Sequence, residues 1–90
     1  MTRERDIEGY LRAEVRRLGG LALKWVSPGT PGVPDRLIFL PGRLILCEVK
    51  ATAGRVTPLQ ARMHERLAAL GYEVAVVSSR EGVRRLLSPP

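Results

Sequence analysis

Three charged residues flank the most apolar segment of this chain. Asp35 precedes the run RLIFLPGRLILC, and Glu48 and Lys50 follow it, with twelve residues between Asp35 and Glu48. Carboxylates are ligands that hard divalent cations such as Mg²⁺ and Mn²⁺ prefer. A lysine ammonium can stabilise negative charge that develops during a reaction. These residue types would suit metal-assisted hydrolysis if folding brought them together.

The segment between these residues has the pattern of a β-hairpin. Two β-rich runs, 36–40 and 43–49, flank Pro41-Gly42, a pair that favours a tight turn. If the runs pair symmetrically about this turn, Asp35 lies directly opposite Glu48. A one-residue bulge would break that pairing and separate the two acids.

Side chains alternate between the two faces of a strand, so the hairpin also predicts which residues share a face. One face of the second strand would carry Leu44, Leu46, Glu48 and Lys50, and the other would carry Ile45, Cys47 and Val49. Directly opposed carboxylates repel each other. We therefore expect a bound divalent cation beside them. The plain alternative for either acid alone is an exposed strand end that points into water.

The surrounding elements follow from hydrophobic periodicity and from turn residues. We predict a helix over about 3–18, a strand over 21–26, a loop over 27–34, the hairpin, a second helix after residue 57, a strand over 72–77 and a short final helix. The order α-β-β-β-α-β-α predicts an α/β fold with a mixed sheet and helices packed on it.

Two helices have recognisable starts. Thr57 is a suitable N-cap, Pro58 suits the first helical position, and Gln60 completes a capping box. Ser78 with Glu81 resembles a second capping box, opening the final helix. The expected buried stripes are Ile7, Tyr10, Leu11, Val15 and Leu18 in the first helix, and Leu59, Met63, Leu67 and Leu70 in the second.

Composition limits the class of protein. A chain of 90 residues with 44% hydrophobic content should fold as one domain spanning 1–90, and a dimer would cover leftover apolar surface. The net charge is +6, and thirteen of the fifteen basic residues are Arg, which binds phosphate well. This balance favours a nucleic-acid partner. A solvated basic surface is the alternative.

The remaining features point to a cytoplasmic protein. Cys47 is the single cysteine and cannot form an internal disulfide, and the first ten residues lack the apolar core of a signal peptide. No segment reaches the roughly 18 apolar residues of a membrane span. We expect no membrane partner.

Several segments together resemble one known family. GVPDRLI at 32–38, EVKA at 48–51 and Gln60 within TPLQARMHERLAALGYEV resemble the virus-type replication-repair nuclease (VRR-NUC) domain of the PD-(D/E)XK superfamily, in its stand-alone phage and bacterial form. The resemblance covers nearly the whole chain, from the first helix to SREGV. A bare PD…ExK pattern is weak, whereas the GVPDR context, the Gln and the element order make it specific.

The resemblance implies a restriction-endonuclease-like αβββαβ core and an Mg²⁺- or Mn²⁺-dependent endodeoxyribonuclease. Asp35 and Glu48 match the metal-binding acids, and the carbonyl of Val49 commonly adds a ligand. Lys50 matches the lysine that acts on the attacking water, and Gln60 matches the glutamine that opens the following helix. Stand-alone members often form homodimers and cut branched DNA such as four-way junctions.

The family also places a metal-binding glutamate on its first helix. Glu8 flanks the apolar stripe, three residues before Leu11, and is the preferred candidate. Glu4 stands one turn earlier and is its rival, whereas Glu14 lies nearer the helix end. An ordinary surface charge, such as Glu8 beside Arg12, is the alternative for each.

Other residues are candidates for contact with DNA. Lys24 and Ser27 flank the proline-glycine loop, and Arg55 and Arg62 flank the start of the second helix. Arg66, Arg84 and Arg85 are further candidates for contact with the DNA backbone, and plain surface charge is the default explanation for all five arginines. His64, one turn beyond Gln60, is either a site residue or an ordinary surface histidine. Trp25 suits base stacking, the core or a dimer interface.

Two other classes of function remain open from the sequence. A DNA-binding module that kept the nuclease fold without catalysis would also be basic, although the intact set of opposed acids argues against it. A protein–protein adaptor, for which the charge is incidental, is the third. Binding of a divalent metal would distinguish a nuclease from the non-catalytic DNA-binding module. Salt-dependent DNA binding would distinguish either of these from the protein–protein adaptor.

Overall fold

A computed structural model describes residues 2–89 of the chain. The elements follow in the order α1 Glu4–Arg17, β1 Leu21–Lys24, β2 Arg36–Leu40, β3 Arg43–Val49, α2 Pro58–Ala69, β4 Glu73–Val77 and α3 Arg80–Leu87. This is the predicted order, and the predicted α/β class is confirmed. No helix among the described residues has both the length and the apolar character needed to span a bilayer.

The four strands form one mixed sheet in the order β1-β2-β3-β4. Neighbouring strands are antiparallel from β1 to β3, whereas β3 and β4 run parallel. The parallel pair requires a crossover, and α2 supplies it. β3 has a strand on each side and carries the five consecutive buried residues 45–49.

The hairpin has the predicted register. Leu40 pairs with Arg43, and Ile38 pairs with Ile45, without a bulge along the ladder. Gly42 adopts a φ of 67°, a left-handed conformation that glycine adopts without a Cβ penalty. The two-residue turn therefore sets the pairing of every residue up to the strand ends.

Helices cover both faces of the sheet. Ile7, Leu11 and Val15 of α1 pack with Val83 and Leu87 of α3 against one face. The sheet residues in this core are Ile38, Ile45, Cys47, Val49 and Val77. Burial raises the pKa of the Cys47 thiol to about 12, so this side chain serves as an unreactive core residue.

The opposite face is covered less completely. It receives α2, beneath which Leu46 is 4% exposed and Glu48 is 2% exposed. Beyond α2, the strands β1 and β2 leave Leu21 61%, Leu23 47% and Phe39 41% exposed. Because Leu21 pairs with Phe39, these side chains form one patch, which we call the uncovered sheet face.

Four local predictions were wrong. The buried stripe of α1 does not include Leu18, which is 37% exposed. The N-cap of α3 is Ser79, whose hydroxyl accepts a 2.9 Å hydrogen bond from the main-chain N–H of Gly82, so Ser78 and Glu81 form no capping box. The stripe of α2 is not buried, since Leu59 is 45% and Leu70 is 73% exposed. β1 ends at Lys24, although the Trp25 N–H still donates a 2.8 Å hydrogen bond to the Asp35 carbonyl.

Candidate active site

The loop before β2 is held close to α2, and this positions Asp35. Gly32 has a φ of 92°, and a Cβ there would lie 3.1 Å from the main-chain oxygen of Leu59. Pro34 is fully buried two residues later. Asp35 then accepts a 2.8 Å hydrogen bond at Oδ2 from the main-chain N–H of Val49. The loop therefore places this carboxylate against the end of β3.

Glu48 lies opposite Asp35 when the hairpin register is continued by one residue. Its carboxylate is almost wholly buried, which is rare for an acid unless it is paired. Lys50 Nζ lies 3.2 Å from Glu48 Oε2, and Gln60 Nε2 donates a 3.3 Å hydrogen bond to the same oxygen. The hairpin and α2 thus bring together four residues that the sequence singled out.

The electrostatics of this cluster disfavour two bare carboxylates. Burial, with the nearby charge of Asp35, raises the pKa of Glu48 to about 7, and Lys50 lowers it in part. The buried Oε1 of Glu48 accepts no hydrogen bond within the described part of the chain. A cation bound there would relieve both the repulsion and the unpaired oxygen.

Gln60 combines two functions that the sequence left as alternatives. Its Oε1 accepts a 3.0 Å hydrogen bond from the Thr57 N–H, and its own N–H donates one of 3.2 Å to Thr57 Oγ1, which completes the predicted capping box. Because the cap occupies the amide oxygen, the amide nitrogen is directed at Glu48. The cap orients the side chain, and the other half of the amide contacts the site.

The first helix does not add a carboxylate to this cluster. Glu8 forms an ion pair with Arg36, whose guanidinium also donates a 3.3 Å hydrogen bond to the Ala22 carbonyl. Arg36 pairs with Cys47 on the α1 side of the sheet, whereas Glu48 faces α2. Glu4 is exposed, and Glu14 pairs with Arg17 at 3.1 Å. A metal-binding role for Glu8 stays a prediction.

The residues fit a hard cation with an incomplete set of protein ligands. Within residues 2–89, no three His, Cys, Asp or Glu side chains converge as a metal-binding group. Asp35 and Glu48 would hold the ion with the predicted carbonyl of Val49, and water would fill the remaining positions. Mg²⁺ commonly keeps several waters and binds through one or two carboxylates. Such an ion would supply Lewis-acid chemistry and an acidified water.

The predicted DNA-contact residues lie at varied depths. Lys24, Arg55 and Arg62 are exposed and Ser27 is half-buried. The structure leaves their contact with DNA a prediction. Trp25 is also half-buried, near the end of the loop that carries Asp35.

Two further residues contact residues of the predicted site: His64, which the sequence left as a candidate, and Arg36, which it did not single out. His64 Nε2 lies 3.8 Å from Glu48 Oε1, and its side chain is only 11% exposed. Its spacing of four residues from Gln60 on one helix was the available signal. Arg36 binds Glu8, and alternation along β2 could have placed it on the α1 face.

Comparisons with known proteins agree with this arrangement. No family model matches the sequence. The chain is 51% identical over 82 residues to "Putative nuclease p44" of Acyrthosiphon pisum secondary endosymbiont phage 1, covering 90% of this chain and 88% of that protein. It is also similar to the solved structure of a "VRR_NUC domain", with a TM-score of 0.88, 35% identity and coverage of 97% of this chain and 96% of that one. The Asp35–Glu48–Lys50 cluster, in which Glu48 is buried, thus lies on a fold and in a sequence shared with these proteins, and the chain belongs to the VRR_NUC family of nucleases.

Proposed function

We propose that residues 1–90 form a single divalent-metal-dependent endodeoxyribonuclease that acts on branched DNA as a homodimer. The observation that carries the proposal is the cluster of Asp35, Glu48 and Lys50 at one end of the hairpin. The two acids offer oxygen ligands of the kind that Mg²⁺ or Mn²⁺ binds. The lysine ammonium lies 3.2 Å from Glu48 and would offer a positive charge to a phosphate bound beside the ion.

Each residue of the cluster has a defined part in phosphodiester hydrolysis. Lys50 offers a cation to the negative charge that develops on the phosphate and can orient the attacking water. Gln60 holds Glu48 through a 3.3 Å hydrogen bond and so limits the rotation of this carboxylate. Asp35 is held in turn by the Val49 N–H. These supports give the ligands the fixed orientation that such chemistry needs.

Branched DNA, such as a four-way junction, is proposed as the substrate. Two features support it: the resemblance of GVPDR, EVK and Gln60 to stand-alone VRR-NUC domains, and a net charge of +6 suited to several phosphate contacts. Lys24, Ser27, Arg55 and Arg62 are the proposed contacts. The cytoplasm of a bacterial or phage-infected cell is the proposed compartment.

A homodimer would place two such sites on one substrate. The uncovered sheet face supports this part of the proposal, because Leu21, Leu23 and Phe39 are 41–61% exposed on neighbouring strands. Contiguous apolar surface of this kind commonly marks a protein interface. Symmetric pairing of the same patch in two copies is the commonest way to bury it.

A cleavage assay tests the proposed activity. Purified protein is incubated with Mg²⁺ or Mn²⁺ and with duplex, flap, splayed and four-way DNA of matched sequence. Wild-type protein should cut the branched substrates fastest, and chelation should stop the reaction. Asp35→Ala, Glu48→Ala and Lys50→Ala should each reduce cleavage by at least about 100-fold without loss of DNA binding.

Glu65→Ala is the matched control, since Glu65 is an exposed acid on α2 with no ion pair among residues 2–89. It should cleave at the wild-type rate. Wild-type protein that binds DNA but neither binds metal nor cuts any substrate would support the non-catalytic binding module instead. Cleavage by all three alanine variants at the control rate would contradict the assigned site.

A further inference from the structure

Two buried polar atoms face each other beside the site without a hydrogen bond. Glu48 Oε1 and His64 Nε2 are 3.8 Å apart, and neither has a partner within the described residues. That separation exceeds the roughly 3.2 Å limit of an ordinary N–H···O hydrogen bond. Buried polar side chains nearly always have partners, so a facing pair that lacks them requires an explanation.

The two oxygens of Glu48 differ sharply in their surroundings. Oε2 accepts a hydrogen bond from Gln60 and lies 3.2 Å from Lys50 Nζ. Oε1 accepts no hydrogen bond among the described residues and lies 3.8 Å from Nε2 of His64. Gln60 and His64 are four residues apart and therefore lie on successive turns of α2. Gln60 contacts Oε2 of Glu48, and His64 lies beside Oε1.

We propose that His64 is a positioning residue that orients Glu48 for metal binding, an inference that rests on the proposed nuclease function. With its proton on Nε2, the ring presents a donor toward Oε1, and a small rotation of either side chain closes the gap. Gln60 and His64 would then each donate a hydrogen bond to a different oxygen of the Glu48 carboxylate. Removing a donor that holds a metal-binding carboxylate typically lowers metal affinity or activity by roughly 10–100-fold.

A histidine that only fills space under α2 is the competing explanation. It would contribute packing, so its replacement by an apolar side chain of similar volume would leave metal affinity unchanged. His64→Leu keeps most of the volume and removes the donor. His64→Gln keeps a terminal N–H at a similar distance from the helix. The two variants therefore separate packing from orientation.

Calorimetric titration of Mn²⁺ into the metal-free protein is the test. His64→Leu should weaken Mn²⁺ binding about tenfold or more, and His64→Gln should stay within about threefold of wild type. The same order should hold for kcat of DNA cleavage, with KM for DNA unchanged. Glu65→Ala, on the exposed side of the same helix, is the control and should bind Mn²⁺ as wild type does.

Fold is monitored by circular dichroism and melting without metal. Should the leucine variant unfold, His64→Asn takes its place, because its amide is one carbon too short to reach Oε1. Equal Mn²⁺ affinity of wild type and His64→Leu, or of wild type and the His64→Asn replacement, would overturn the proposal. So would a His64→Gln variant that binds Mn²⁺ as weakly as the leucine or asparagine variant. A wild-type protein without any Mn²⁺ binding would instead refute the proposed metal dependence itself.

Discussion

The main-chain N–H of Val49 donates a 2.8 Å hydrogen bond to Oδ2 of Asp35, fourteen residues earlier in the chain. This contact ties the loop before β2 to the last residue of β3. It also gives one oxygen of the proposed metal ligand a fixed direction. Asp35 therefore closes the open end of the hairpin in addition to its proposed role toward a cation.

Two substitutions at Asp35 should separate these roles. Asp35→Asn retains an acceptor for the Val49 N–H but loses the charge, whereas Asp35→Ala loses both. We expect both variants to lose cleavage by at least about 100-fold, but only the alanine variant to lose about 1–3 kcal/mol of stability, because it leaves a part-buried N–H unpaired. Urea unfolding and a cleavage assay measure the two effects. Equal stability of the two variants would contradict a structural role for the hydrogen bond.

The buried carboxyl of Glu48 should make the metal-free protein sensitive to pH. Its pKa rises from 4.5 to about 7 on folding, mainly through burial and then through Asp35. Between these values the folded chain holds a proton that the unfolded chain has lost, so stability falls as pH rises through this window. We expect Tm in chelator to decrease from about pH 5 to about pH 8.

Glu48→Gln is the control for that measurement, because it removes the titrating group and keeps its shape. The difference in Tm between wild type and this variant should grow with pH across the window. Saturating Mn²⁺ should reverse the trend for wild type, since the ion binds the ionised carboxylate. A pH-independent difference would show that Glu48 titrates normally in the folded protein.

Substitutions at Gln60 and Thr57 can separate the contribution of the α2 cap to stability from the contribution of the Gln60–Glu48 contact to cleavage. Glutamate also completes a capping box, so Gln60→Glu should keep α2 capped while replacing the donor to Glu48 by a third acid. We expect near-wild-type helicity, with cleavage reduced at least about tenfold. Thr57→Ala is the reverse case, with about 1 kcal/mol of lost stability and retained cleavage. Circular dichroism, urea unfolding and cleavage rates together test the division.

The uncovered sheet face predicts which substitutions disrupt the proposed homodimer. Leu21→Glu or Phe39→Glu would place a charge within an apolar interface, and we expect either to shift the protein toward monomer by at least about tenfold in dissociation constant. Val26→Glu is the control, because Val26 is 69% exposed but follows the end of β1. Light scattering over a concentration series measures the state. A wild-type monomer at all concentrations would refute the dimer.

The exposed arginines of α2 and of the loop before it predict a charge-specific effect on DNA binding. Arg55 and Arg62 are exposed and have no ion-pair partner among residues 2–89, whereas Arg85 pairs with Glu81 at 2.6 Å. The double variant Arg55→Ala/Arg62→Ala should bind DNA more weakly and lower the salt-dependence slope by up to about 1.8. Arg85→Ala should change both quantities less. Identical slopes for all three proteins would exclude Arg55 and Arg62 as phosphate contacts.

Local signals in the sequence were sufficient for the hairpin and for the start of α2. A two-residue turn at Pro41-Gly42 allows one symmetric register, and strict alternation then assigns each side chain to a face. The cap of α2 depends on residues within one turn, which the sequence contains in order. The hairpin signal brings Asp35, Glu48 and Lys50 to one end of the hairpin, whereas the family resemblance, and not the cap, assigned Gln60 to the site.

Tertiary packing decided the features that local patterns leave ambiguous. Glu8 pairs with Arg36 because α1 lies on the face opposite Glu48, and periodicity along α1 does not reveal which sheet face it covers. Leu59 and Leu70 lie at the two ends of α2 and are 45% and 73% exposed, which helical periodicity alone does not reveal. His64 meets Glu48 only because the crossover brings α2 onto the sheet face that carries Glu48. The sequence by itself thus determined the acids and their pairing, whereas packing decided which further side chains surround them.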